Sequence, residues 1–202
     1  MPRSSYQQTI LLIALWAAAI VAGFYGWARY DATPGKKLAP MHDHVPDGRA
    51  FTLVLYLHPH CPCAVASVAE FAEIVGRVKG GCRFRVAFVC PPGAAPGWER
   101  TKLWDRANAL PGVEVNIDAG GEEAKRAGAA TSGHAVLFDA AGTPRFSGGL
   151  TRSRGQRGAA AGREAILAAL AGQEPPTDTA DVFGCPLLDP SDCTNVTKCH
   201  SE

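Results

Sequence analysis

Residues 51–64 of the chain read FTLVLYLHPHCPCA, with Cys61 and Cys63 on either side of Pro62. The first seven residues are almost all apolar, which predicts a strand buried on both faces, as in the centre of a parallel or mixed sheet. Residues 61–79 then carry apolar side chains at helical spacing, and Gly80-Gly81 predicts the end of that helix. The cysteine pair is therefore expected at the turn from the carboxyl end of a strand into a helix.

Thiols at such a turn are expected to be reactive. Unpaired N–H groups and the helix dipole at a helix start stabilise a thiolate and lower its pKa. Open α/β sheets also bind ligands at the carboxyl ends of their strands. Pro62 suits the first turn of a helix, where its missing N–H costs nothing, and protonated His58 and His60 would lower the thiol pKa further. We predict that Cys61, Cys63, His60 and Pro62 form the catalytic group of a thiol redox site.

The remaining segments predict alternating strands and helices. In chain order they are a strand at 83–90, a weak helix around 98–110, a strand at 113–117, a short helix at 121–128, a hairpin turning at Ala141-Gly142, and a helix at 163–170. This alternation predicts a layered α/β domain. The closing hairpin and helix narrow it to a thioredoxin-like fold, a mixed central sheet flanked by helices.

Four segments carry a resemblance to a known family. They read HPHCPC at 58–63, TSGHAVLF at 131–138, FSGGLTRSRG at 146–155 and VFGCPL at 182–187. Together, over about residues 51–188, they resemble thioredoxin-like proteins and, among these, small bacterial proteins of the RedB type. The resemblance implies a thioredoxin-like fold and a thiol redox role, and it does not imply a substrate.

The cysteine spacing departs from the thioredoxin pattern, which is Cys-x-x-Cys where this chain has Cys-x-Cys. If Pro62-Cys63 matches the thioredoxin Pro-Cys, then His60 occupies the position of the usual nucleophile and Cys61 is an additional thiol. Alternatively, Cys61 attacks and Cys63 resolves the intermediate. A disulfide across one residue would be strained and therefore readily reduced.

The resemblance also places Gly133 where thioredoxins carry a cis-proline facing the site. Ser132 and His134 flank it. We expect these three residues to position a substrate, with glycine keeping the backbone open to a partner chain.

A second class of function uses the same side chains. Imidazole and thiolate are ligands that copper and zinc prefer, so His58, His60, Cys61 and Cys63 could serve an extracytoplasmic copper or zinc binding or chaperone protein. The histidines of segment 41–44 could join them. An adaptor that only docks a partner is a third class. The redox protein itself would need no cofactor beyond its cysteines.

The chain has seven cysteines. Cys82 and Cys90 would lie roughly 26 Å apart in one strand, too far for a mutual disulfide. They are predicted to be small core residues or partners of other thiols, with Cys90 the better candidate for a third redox thiol. Cys185, Cys193 and Cys199 lie near the C-terminus, where one disulfide is the default expectation; Cys185 could instead pair with a cysteine of the domain.

The N-terminal segment predicts attachment to a membrane. Residues 9–28 contain no charged residue, and a run of this length suffices for a membrane-spanning helix. Trp27 and Tyr30 suit the membrane–water interface at its end. We expect an anchor at 1–30, a cleaved signal peptide being the alternative. A linker at 31–50, the thioredoxin-like domain at 51–172 and an acidic, cysteine-containing tail at 173–202 follow.

The composition of the chain indicates which compartment and which partners to expect. Seven cysteines favour an oxidising compartment, and the composition looks bacterial, so we expect the domain on the periplasmic or outer side of the cytoplasmic (inner) membrane. Expected partners are a thiol or disulfide substrate, protein or small molecule, and a reductant. A net charge of +1 argues against nucleic acid.

Overall fold

The computed structural model describes residues 3–38 and 51–188. The chain divides into two units, one up to Thr33 and one from Pro34 onward. The first unit is helix α1, Arg3–Ala32. An 18-residue window within its segment Tyr6–Ala32 has a mean hydropathy of 2.1, and the 27 residues of the segment are long and apolar enough to cross a membrane, a criterion that a signal sequence also meets. Most of the linker, with its histidines, and the cysteines 193 and 199 fall outside the described residues.

The second unit contains five strands and four helices within the described residues. They are β1 Phe51–Leu57, α2 Ala64–Arg77, β2 Cys82–Cys90, α3 Lys102–Asn108, β3 Val113–Ala119, α4 Glu122–Arg126, β4 His134–Asp139, β5 Pro144–Gly149 and α5 Ala161–Leu170. Every strand and helix predicted for the domain is present. Helix α2, however, begins at Ala64, three residues later than predicted, so Pro62 lies in the turn before it.

The strands form one sheet in the order β3-β2-β1-β4-β5. Strand β1 is parallel to β2, which is parallel to β3, whereas β4 is antiparallel to both β1 and β5. A parallel βαβαβ half joined to an antiparallel hairpin is the arrangement predicted for a thioredoxin-like fold, and that prediction is confirmed. Strand β1 is central, as its continuous apolar run predicted.

The two faces of β1 pack against different layers. Because successive side chains of a strand point to opposite faces, the leucines at 53, 55 and 57 join the core formed with α2, α3 and α5. Val54 and Tyr56 join a second core with α4 and Leu187. Each fully buried leucine, isoleucine or phenylalanine contributes about 1.5–3 kcal/mol relative to exposure, so both layers stabilise β1 and fix the position of its carboxyl end.

Residues after α5 belong to this packed unit. Ser147 of β5 pairs with Thr179, and Val182 and Leu187 are buried. A Cβ at Gly148 would lie 2.4 Å from the nitrogen of Ala180. The segment around Ala180 can therefore approach the backbone of β5 only because Gly148 has no side chain. The structure thus differs from the predicted boundary at residue 172, since residues after it complete the domain.

Candidate functional site

Cys61 lies in a tight turn directly after β1. Its N–H donates to the carbonyl of His58 at 3.1 Å, and its carbonyl accepts from the N–H of Ala64 at 3.2 Å. The residue is only 3% exposed. The turn therefore holds the Cys61 thiol at the carboxyl end of the central strand, as the sequence predicted.

The sulfur of Cys61 accepts several hydrogen bonds. The backbone N–H of Cys185 lies 3.4 Å from Cys61 Sγ. The thiol of Cys185, the hydroxyl of Ser132 and the N–H of Ala64 also donate to it. The hydrogen bond from the Cys185 thiol contributes most, and together these donors outweigh burial and lower the pKa of Cys61 to about 5. Cys61 is therefore a thiolate at neutral pH.

Cys185 is held beside Cys61 by backbone pairing between two segments. The N–H of Ser132 donates to the carbonyl of Cys185 at 2.8 Å, and the N–H of Leu187 donates to the carbonyl of Ala130 at 3.0 Å. Gly184 lies so close to Ser132 that a Cβ there would be 2.0 Å from the Ser132 carbonyl oxygen. The backbone at 184–187 is thus fixed against the residues that precede β4.

Cys185 has the opposite acid–base behaviour. Its pKa is raised well above the ordinary value, first because its thiol donates to Cys61, and further by burial and by electrostatic interaction with Cys61 and Cys63. The positive charge of Arg154 opposes this shift, and the Arg154 guanidinium donates to the carbonyl of Gly184. The pair therefore consists of a thiolate at Cys61 and a proton-donating thiol at Cys185.

Ser132 and Gly133, predicted to position a substrate, lie close to the Cys61 turn. The backbone N–H of His58 donates to Ser132 Oγ at 2.9 Å, which leaves the hydroxyl proton for Cys61. Gly133 has φ +95, its peptide bond is trans, and a Cβ there would lie 2.6 Å from Ser67 Oγ. Only glycine fits this position without strain, and its part in substrate binding stays a prediction.

His134 is in the interior. It is 1% exposed, pairs with Tyr56 across β1 and β4, and places Nε2 2.8 Å from Ser147 Oγ. Among the described residues, no group bonds its Nδ1. Burial, and then the charge of Lys37, lower the pKa of His134 to about 4. The ring is therefore neutral at physiological pH, and a role in positioning substrate stays a prediction.

His58 and His60 contact Trp98, a residue that the sequence did not point to. The ring centroids of His60 and Trp98 are 4.6 Å apart, and those of His58 and Trp98 are 5.3 Å apart. His60 is exposed, with Nε2 2.9 Å from the Trp98 carbonyl oxygen. The hydroxyl of Thr101 donates to the carbonyl of Pro59 at 3.1 Å. The loop before α3 thus packs on the histidines, which only the fold brings together.

Cys63 is the N-cap residue of α2 and is half-buried, and its carbonyl accepts the N–H of Ala66 at 3.2 Å. Over residues 3–38 and 51–188, no three His, Cys, Asp or Glu side chains are grouped closely enough to hold a metal ion. The copper or zinc alternative stays a prediction.

The cysteines of β2 lie at opposite ends of that strand, and both are buried. Burial, followed by the charges of Glu99 and Asp118, raises the pKa of Cys90 to about 11. Cys90 therefore stays protonated at neutral pH, which makes it a poor nucleophile.

Comparisons with known proteins support the fold. No protein-family model matches the chain, and a comparison with curated proteins gives no match. An uncharacterised conserved protein from Geobacillus kaustophilus superposes with a TM-score of 0.57 at 20% identity, over 79% of this chain and 91% of that one. A hypothetical protein from Sinorhizobium meliloti 1021 gives 0.55 at 21% identity, over 78% and 91%. A thioredoxin-like protein from Aeropyrum pernix gives 0.45 at 10% identity, over 76% and 97%.

Proposed function

We propose that this chain is a membrane-anchored, extracytoplasmic thiol-disulfide oxidoreductase of the RedB type whose nucleophile is Cys61. The observation that carries the proposal is the set of hydrogen bonds donated to the Cys61 sulfur, which lowers its pKa to about 5. The thiolate is the form of cysteine that attacks a disulfide. The helix Tyr6–Ala32 supports anchoring, because its length and composition suffice for a membrane span.

The reaction would proceed by thiol–disulfide exchange. The Cys61 thiolate attacks one sulfur of a substrate disulfide, a Cys61–substrate disulfide forms, and the other substrate sulfur leaves as a thiolate that takes a proton from water. A second protein thiol then attacks Cys61 and releases the rest of the substrate as a thiol. The protein is left with an intramolecular disulfide, which an external dithiol must reduce before the next turnover. Because Cys61 is 3% exposed, small or extended disulfides would have the best access.

The test measures disulfide reduction by the full chain in detergent micelles, with dithiothreitol as the electron source and insulin or glutathione disulfide as substrate. Wild type should accelerate reduction, and Cys61→Ala should fall to the uncatalysed rate. Cys90→Ala is the matched control, since Cys90 is also buried but its pKa is raised rather than lowered, and it should retain activity.

Two results would overturn the proposal. One is reduction by Cys61→Ala at the wild-type rate. The other is an inactive wild-type protein that purifies with one equivalent of copper or zinc, which would favour the metal-binding alternative. Metal content measured on the same protein, purified without chelator, separates that alternative from simple inactivity.

A further inference from the structure

We propose that Cys185 is the resolving thiol of this site, so that the oxidised protein holds a Cys61–Cys185 disulfide rather than a Cys61–Cys63 disulfide. This inference rests on the proposed function. It assigns the second thiol of the exchange to a residue that is distant in sequence and lies outside the Cys61-Pro62-Cys63 motif.

The first argument is the contact between the two residues. The N–H of Cys185 lies 3.4 Å from Cys61 Sγ, and the Cys185 thiol also donates to that sulfur. A disulfide requires about 2.05 Å between sulfurs and Cα atoms about 4.4–6.8 Å apart. Two side chains already in hydrogen-bond contact need only a short approach to form it.

The second argument concerns Cys63. Its backbone is the N-cap of α2, with φ −68 and ψ −26, and its carbonyl accepts the N–H of Ala66. The Cys61 carbonyl likewise accepts the N–H of Ala64. Closing a small ring across Pro62 would have to distort this turn and the first turn of the helix, and such distortion costs free energy. The Cys61–Cys185 bond leaves both hydrogen bonds in place.

The third argument is that Cys185 is held in position from both sides. Its carbonyl accepts the N–H of Ser132, and Pro186 pairs with Thr131. The Arg154 guanidinium donates to the carbonyl of Gly184 on the other side. A thiol on a fixed backbone is presented to Cys61 throughout the cycle, which raises its effective concentration there.

The acid–base behaviour of the pair provides an order of events. Before attack, the Cys61 thiolate accepts a hydrogen bond from Cys185 and keeps it protonated. When Cys61 enters a mixed disulfide, its negative charge disappears, and the positive charge of Arg154 then favours the Cys185 thiolate. Cys185 attacks Cys61 Sγ, the Cys61–Cys185 bond forms, and the Cys61–substrate bond breaks. Two electrons pass from the cysteine pair to the substrate disulfide, and the proton that Cys185 loses is taken up by the released substrate thiolate.

The test maps disulfides in the full chain in micelles after oxidation with glutathione disulfide and alkylation of the remaining thiols. Trypsin leaves Cys61 and Cys63 on one peptide, 50–77, and cleavage before aspartate places Cys185 alone on peptide 181–188. We expect peptide 50–77 linked to 181–188 in wild type and in Cys63→Ala, and no such link in Cys61→Ala. Cys193→Ala is the matched control and should keep the link.

A kinetic readout separates resolution from a structural role of Cys185. Cys185→Ser, treated with glutathione disulfide, should accumulate the glutathione adduct on peptide 50–77 roughly tenfold above wild type, because the resolving step is lost. Cys185→Ala serves equally if the serine variant does not fold, and circular dichroism checks both.

An oxidised wild-type protein whose only disulfide at the site is internal to peptide 50–77 would overturn the inference. The proposed function would still stand in that case if Cys185→Ala reduces disulfides and Cys61→Ala does not. Loss of the proposed function itself is detected separately, as wild type that does not reduce disulfides at all.

Discussion

The backbone N–H of Cys185 donates to the sulfur of Cys61 at 3.4 Å, although the two residues are 124 positions apart. One residue follows the central strand, and the other lies in the segment that closes the domain after α5. The chemistry of the site therefore depends on the docking of that segment as much as on the turn after β1.

The reactivity of Cys61 should follow a low pKa. With the pKa at about 5, alkylation by iodoacetamide should rise between pH 4 and 6 and then level off, whereas an ordinary thiol rises around pH 8.5. The rate is measured by mass spectrometry on peptide 50–77 of Cys63→Ala, in which Cys61 is the only cysteine of that peptide. A midpoint above pH 8 would contradict the hydrogen bonding of the Cys61 sulfur.

Ser132 should lower the pKa of Cys61 through its hydroxyl. Ser132→Ala removes one donor to the thiolate, and a hydrogen bond to a charged group is worth about 1.5–3 kcal/mol, so the alkylation midpoint should rise by about one to two units. Ser147→Ala is the control, because that hydroxyl contacts His134 instead. An unchanged midpoint in Ser132→Ala would show that the serine does not act on the sulfur.

Gly133 should tolerate no side chain. A non-glycine residue at positive φ costs about 1–2 kcal/mol, and a Cβ at Gly133 also meets Ser67 Oγ at 2.6 Å, which adds about 1–3 kcal/mol of overpacking. Gly93→Ala is the matched control, since Gly93 has φ +81 and its Cβ would have no neighbour within 4 Å. Urea unfolding should show a larger decrease in the free energy of unfolding for Gly133→Ala than for the control.

A double variant separates backbone strain from crowding at Gly133. Adding Ser67→Ala to Gly133→Ala removes the close oxygen, so the double variant should be more stable than the sum of the single effects indicates. Strict additivity would assign the whole cost to backbone strain.

His134 should make the fold less stable in mild acid. Its pKa is about 4 in the folded protein and about 6.5 when unfolded, so the unfolded chain binds the extra proton between these values. Stability from the neutral ring is full above pH 6.5 and is lost as pH falls toward 4, by roughly 2 kcal/mol at pH 5. Thermal melts at pH 7.5 and 5 should show that this pH change lowers the stability of His134→Gln less than that of wild type. An equal loss in both proteins would place the titration on another group.

The sequence predicted the fold well because the decisive signals are local. Residues 51–57 form an apolar run that only a central strand can bury, and the hairpin turn at Ala141-Gly142 joins β4 and β5. The segment after residue 172 was predicted as a tail because its composition is acidic and rich in proline. It docks through small-residue contacts, such as Ala180 against Gly148, which leave no periodic pattern in the sequence.

The candidate site could be predicted only in part, because some of its contacts are local in the sequence and others are not. The position of Cys61 follows from the local order of strand, turn and helix. The contacts of Cys185, Ser132 and Trp98 arise from long-range pairing, and spacing along a single sequence does not encode them. Pairing of Cys185 with a domain cysteine was one of two alternatives, and the structure places its thiol against Cys61.

The late position of Cys185 also sets when the site matures during biosynthesis. A ribosome adding about 5–20 residues per second needs on the order of ten seconds to extend the chain by the 124 positions from Cys61 to Cys185. Throughout that interval the nascent chain carries Cys61 without its strongest hydrogen-bond donor, and the thiol is mostly protonated at neutral pH. Cys61 of a newly made chain is thus a weaker nucleophile until the segment that contains Cys185 has been made.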